Sequence, residues 1–232
     1  MTTGPLAQVL RGEPLRPIES SPPMRLATLA RGSAEEFRRL VNDRQLVLFA
    51  EVSPQYEGKR LDDPIWEPYF ALAGVLDIPV GVHLGEGPPG APYGAAPRYR
   101  AQFGTPLQLE EVLIRHPKLR LYVMHYGSPL VDEMIAVLYS YPRSTSISPV
   151  NHWGMPRPHF YGQLRRLVDA GFIKRIMWGS DQMVWPRAIA VAIETIQTAP
   201  FVSEDQKRDI FYNNAARFLR SSPEQIAKHH GR

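Results

Sequence analysis

The stretch PVGVHLG, Pro79 to Gly85, is a short apolar run closed by a histidine and a glycine. It is too short for a helix, and its valines and flanking Pro and Gly read as a strand buried on both faces. The format recurs downstream as LRLYVMHYG (119–127), closed by His125, and as RIMWGSD (175–181), closed by Asp181. Upstream, LVLFAEV (46–52) carries Glu51 at its end. A loop and a helical pattern follow each run. Such alternation predicts a parallel α/β architecture. In a parallel α/β barrel the C-terminal strand ends gather on one face, where the chemistry sits. His83, His125, Asp181 and Glu51 are therefore expected to converge. Two imidazoles and a carboxylate there make a candidate metal or acid/base site.

The rest of the chain keeps the same rhythm. Residues 1–23 are rich in Pro, Gly and Ser and are expected to form an irregular arm. MRLATLA (24–30) reads as a strand. Ser33 is placed to cap the next helix, with Glu36 as capping-box partner and Phe37, Leu40 and Val41 on one face. Asp63-Pro64 predicts the start of the helix WEPYFALAGVL. Thr105, Pro106 and Gln108 predict another cap, with Leu109, Val112 and Leu113 facing inward. Ser128-Pro129 opens a further helix, and STSISPV (144–150) is a weaker strand. FYGQLRRLVDAG (160–171) is a helix ended by Gly171. Ser203 with Gln206 caps the second of two closing helices. The tail 222–232 is polar. Since a complete eight-stranded barrel takes about 250 residues, the expectation is an incomplete parallel (β/α) barrel over 24–221, with about six of eight βα units.

Composition narrows the chemistry. The chain has 232 residues, 44% hydrophobic and 22% charged, which suits one globular domain. A net charge of +4 is small and scattered, so neither nucleic acid nor a membrane surface is an expected partner. There are no cysteines, so a transition metal would have to be held by His and carboxylate. No long apolar segment predicts a membrane span, and the N-terminus does not read as a secretory signal, so the default location is cytoplasmic.

The order Glu51, PVGVHLG, LYVMHYGSP, MWGSD and FYNNAARFL resembles the amidohydrolase superfamily, in particular the amidohydrolase-related branch that includes the aminocarboxymuconate-semialdehyde decarboxylases. The resemblance runs from about Met24 to Leu219. It implies a metal-dependent hydrolase barrel with zinc as the expected ion and a small-molecule substrate carrying an amide, ester or lactone-like bond. His83 would match the metal-binding histidine of the fifth strand. His125 would match that of the sixth, ligating a second metal or polarising the substrate. Asp181 would match the aspartate of the eighth, touching the metal and handling the proton of the attacking water. The family's first strand ends in His-x-His, and no such pair occurs in this chain. A truncated or fragmentary product, a second chain completing the site, or lost chemistry would each account for that. Weak metal binding and impaired hydrolysis follow as expectations. The alternatives are a decarboxylating lyase of the same fold and a non-catalytic binding protein. An uncovered sheet edge would favour a homo-oligomer.

Each residue also has a structural reading. His83 and His125 could be buried hydrogen-bonded histidines, and Ser180-Asp181 could cap the next segment. Glu51 could bridge metals, orient a histidine or pair with Lys59 or Arg60. His152 and His159, in a Pro-rich loop, are expected to be solvated, as loop histidines usually are. His116 suits a helix end, and His229 and His230 are expected in a disordered tail. The long loop 86–104 follows the His83 strand directly and has the length of a binding loop. Its Tyr93, Arg98, Tyr99 and Arg100 could meet an aromatic or carboxylate substrate, although for the individual side chains a packed surface excursion is the preferred reading.

Overall fold

The computed structural model describes residues 33–94, 96–142, 144–147, 151–181 and 185–231. The expected arm and the expected strand MRLATLA lie outside them. Helix α1 (Ala34–Asn42) begins where the Ser33 hydroxyl accepts the Glu36 N–H at 3.1 Å. The Glu36 carboxylate lies 3.6 Å from Arg39, an ion pair in place of the expected reciprocal cap. Phe37 and Leu40 are buried as the spacing predicts. Helix α2 (Glu67–Val75) starts later than Asp63-Pro64 suggests. Asp63 accepts the Ile65 N–H at 3.0 Å, so it closes a turn ahead of the helix.

Strands β1 (Phe49–Val52), β2 (Val80–His83), β3 (Leu121–Met124), β4 (Ser144–Ile147) and β5 (Ile176–Met177) form one parallel sheet in chain order. Among the described residues no pairing joins β1 to β5, so the sheet is open. Five of the expected strands are thus present, in the expected frame. Helices α3 (Leu109–Arg115), α4 (Val131–Ser140), α5 (Asn151–Gly154), α6 (Arg157–Asp169) and α7 (Arg187–Gln197) alternate with or follow the later strands.

Side chains alternate across the sheet. Val80, Val82, Leu121, Val123 and Ile176 pack into the main core with Leu109, Val112, Met134, Val137, Leu164 and Leu167. The opposite face carries Ala50, Tyr122 and Met177, backed by Ala215 and Phe218. A Cβ at Gly81 would lie 2.4 Å from the Tyr122 ring and 2.8 Å from the Ala50 Cβ. The bare glycine lets Tyr122 lie across the sheet. His83, two positions on, has the same parity as Gly81 and faces the same side.

Several caps differ from expectation. Thr105 accepts the Leu107 N–H at 3.2 Å and starts the short turn Pro106–Gln108. Gln108 does not reach back to it; it is buried, and its Oε1 accepts the Leu61 N–H at 2.7 Å. Ser203 and Gln206 form both halves of a capping box on α8 (Glu204–Arg208). That helix continues through a wider turn, Asp209–Asn213, into α9 (Asn214–Phe218). The polar tail is ordered into α10 (Pro223–His229), capped by Ser222 with Gln225, and the Tyr212 hydroxyl lies 2.8 Å from His229 Nδ1. A second capping box offset the polarity that suggested disorder. None of the described helices is long and apolar enough to cross a membrane.

Candidate active site

β2 ends on His83, which is 8% exposed. The side chain of Glu51 reaches it because β1 is irregular. Phe49 pairs with Val80 and Val52 with Val82, so β1 carries one residue more than β2 over that span. A bulge of this kind re-aims a side chain. Plain alternation would send Glu51 toward the helices; instead its carboxylate bonds His83 Nδ1. Lys59 and Arg60, the alternative partners, pair with Asp63 and Asp62.

His125 follows β3 with φ of 58°, and Tyr126 after it has φ of 37°. This left-handed turn lifts the imidazole out of strand alternation and beside His83. Gly127 completes the turn at φ of 68°, where a Cβ would stand 2.4 Å from Pro106 Cγ. The His83 and His125 ring centres are 4.3 Å apart. His83 Nε2 lies 3.3 Å from the Glu86 carbonyl oxygen.

One ligand atom from each of Glu51, His83 and His125 falls within 4.8 Å of the others. One carboxylate and two imidazoles, largely withdrawn from solvent, are a donor set that fits a divalent transition metal. Three of the four expected site residues are thus in one compact group. Asp181 is not a member of that group, but it stands at the same strand ends, within the field of Glu51 and His83.

Burial works to raise the Glu51 carboxyl, but the hydrogen bond and charge of His83, with a contribution from His125, hold it below its ordinary value. Burial and then the Glu51 carboxylate push Asp181 up to about 6, against the pull of His83.

Tyr56 is a neighbour that the strand-end pattern does not reveal. It sits in the turn Pro54–Glu57 just after β1, with its ring edge-on to His83 at 5.2 Å and to Tyr99 at 5.2 Å. Burial first, then Tyr99 and the carboxylates Glu51, Asp181 and Glu86, push its phenol up to about 12. Within the long loop, Tyr99 accepts the Gly87 N–H at 2.8 Å. Arg98 pairs with Glu57, the Arg100 guanidinium bonds the Tyr99 carbonyl, and Tyr93 projects into solvent. Of the four loop residues considered from sequence, Tyr99 is tied to the site, through its ring contact with Tyr56.

His152 corrects the expectation of a solvated loop histidine. It belongs to α5, is 2% exposed, and its Nε2 lies 2.9 Å from the Gly179 carbonyl. The flanking prolines mimic an exposed loop, whereas the helix turn carries the ring inward. His159 is exposed, 3.0 Å from Gln163. His116 ends α3 and lies 2.9 Å from Glu67.

The amidohydrolase family model matches residues 22–221, and the chain belongs to that family. No curated protein matches it. Among solved structures, an uncharacterised TIM-barrel protein of Bordetella bronchiseptica is similar, with a TM-score of 0.64 at 19% identity, over 89% of this chain and 66% of that one. The 5-carboxyvanillate decarboxylase of Sphingomonas paucimobilis gives 0.54 at 19% identity, over 82% of this chain and 63% of that one. That of Novosphingobium aromaticivorans, complexed with manganese and 4-hydroxy-3-methoxy-5-nitrobenzoic acid, gives 0.53 at 17%, over 81% and 60%. The chain therefore spans slightly less than two thirds of the length of these relatives.

Proposed function

We propose that this member of the amidohydrolase family is a metal-dependent lyase that removes a carboxyl group from a small carboxylated substrate. Glu51, His83 and His125 would hold the ion, with Asp181 beside them. When bound, such an ion would act as a Lewis acid on substrate oxygens. The observation that carries the reading is the Glu51–His83–His125 donor group with Asp181 in its field, in a chain similar to solved 5-carboxyvanillate decarboxylases. Decarboxylation breaks the bond between the carboxyl and the substrate carbon, carbon dioxide leaves, and the electron pair stays on that carbon. Asp181 would supply the proton that quenches it. Tyr56, protonated throughout the working range, would donate a hydrogen bond to a substrate oxygen.

The hydrolase expected from sequence is the second reading. As a carboxylate the same Asp181 would accept a water proton, and His125 would steady a developing oxyanion. Two imidazoles suit zinc, and the manganese in one similar decarboxylase makes that ion an equal choice. The test supplies the purified chain with Zn2+ or Mn2+ and, in parallel, aromatic acids labelled with 13C at the carboxyl carbon and carboxylated lactones labelled likewise. Release of labelled carbon dioxide supports the lyase. Opening of a lactone without carbon dioxide release would replace it with the hydrolase.

A further inference from the structure

His152 is absent from the group of metal-capable side chains and from the strand ends that framed the site. It is nevertheless held from several sides. Its backbone carbonyl accepts the Thr195 hydroxyl at 3.1 Å, and Thr195 is fully buried on α7. Its ring lies between Phe160 at 5.9 Å and Trp178 at 6.2 Å. The Gly179 carbonyl is 2.9 Å from Nε2, so Nε2 carries the proton and donates. Nδ1 is buried and has no hydrogen-bond partner among the described residues. A buried polar atom left unmet costs stability, so packing alone gives no reason to keep an imidazole there. The Gly179 bond is what the ring provides.

Gly179 stands two positions before Asp181, on the segment that leaves β5. That segment is pinned on its other side as well, where the Trp178 N–H donates to the Ile210 carbonyl at 2.8 Å. Asp181 itself adopts φ of 49°, a backbone state that its surroundings must enforce. We infer that His152 is a positioning residue, whose Nε2–H ties the β5 exit to α5 and fixes where the Asp181 carboxyl stands relative to Glu51 and His83. Burial chiefly, opposed by the Gly179 bond and aided by the His125 charge, brings the imidazole down to about 4, so it keeps a single proton for Gly179 at working pH. The functional weight of this tie rests on the reading of Asp181 given above; the tie itself does not.

Two variants separate the bond from the packing. His152→Phe keeps an aromatic ring between Phe160 and Trp178 and removes the donor. His152→Gln returns an N–H near the Nε2 position. Amide exchange of the metal-free full chain should speed up in peptides covering 176–181 for His152→Phe, with 121–127 unchanged, and His152→Gln should restore protection. With Mn2+ supplied, release of labelled carbon dioxide should fall ~10-fold or more in His152→Phe and recover to within ~3-fold in His152→Gln, while Mn2+ affinity stays within ~3-fold in both. Unchanged exchange in His152→Phe, or loss in both variants alike, overturns the tie. If the unaltered chain and His83→Ala bind Mn2+ equally poorly, the metal reading falls, while the exchange comparison still decides the role of His152.

Discussion

Glu51, His83 and His125 meet through three different local devices: a strand end, a bulge and a left-handed turn. Only the first is legible in sequence, because a polar residue closing an apolar run needs no knowledge of the partner strand. The bulge depends on how β1 pairs with β2, which periodicity does not encode. His152 was obscured by its prolines for the same reason: its burial is decided by Phe160 on the next helix and by Trp178 and Thr195 far along the chain. That burial yields a pH prediction. The folded imidazole protonates near 4 and the unfolded one near 6.5. Between those values the unfolded chain binds more protons, so stability falls as pH drops, by about 3 kcal/mol once below 4. Urea unfolding at pH 7.5, 5.5 and 4.5 should show a shallower loss in His152→Gln than in the unaltered chain. Equal slopes would mean that His152 titrates as an exposed histidine. Tyr56→Phe makes a second residue-scale case. It removes a donor that stays protonated at every working pH, so turnover should drop ~10-fold or more while Mn2+ content is kept. Loss of metal instead would move Tyr56 from substrate contact to support of His83.

At the scale of elements, Ser33, Thr105 and Ser203 each accept the expected kind of capping bond, but of these three the reciprocal half forms only at Ser203. There both halves of the box with Gln206 form within one turn. Thr105 with Gln108 has the same spacing, yet Gln108 is drawn away by the buried Leu61 N–H, a tertiary demand with no local signature. The helix that Ser203 starts runs through α8, the wide turn 209–213 and α9, and it carries the Ile210 carbonyl that receives the Trp178 N–H. Its start therefore bears on how β5 leaves the sheet. Ser203→Ala should cost about 1 kcal/mol. Urea midpoints should fall accordingly with an unchanged slope, and Mn2+ affinity should stay close to that of the unaltered chain. Amide exchange over 176–181 that speeds up in Ser203→Ala as much as in His152→Phe would show that this helix, and not His152, governs the β5 exit.

At the scale of the molecule, the parallel frame followed from alternation of strand and helix, and what it leaves open has consequences. β1 has no pairing partner on its outer side among the described residues. Unpaired parallel edges recruit other strands, so sedimentation of the dilute chain should reveal dimers; a monodisperse monomer would mean that the edge is covered within the chain. Metal affinity tests the site more directly. Glu51, His83 and His125 offer three donors, the number a catalytic zinc usually takes from its protein. The family resemblance assigns two more to a His-x-His pair that this sequence does not contain. The two arrangements differ in what an added pair would do. If the three donors suffice, a fusion supplying a family-like first strand with His-x-His should leave Mn2+ and Zn2+ affinity unchanged. We expect instead weak binding by the chain alone and a gain of at least ~100-fold in the fusion, since even the loss of residues that merely orient ligands costs ~10–100-fold. His83→Ala in that fusion should return the affinity to background, because the added pair has to act on the same ion as the β2 histidine. Retained tight binding in the fused His83→Ala variant would place the ion away from β2 and detach the Glu51–His83–His125 group from the chemistry.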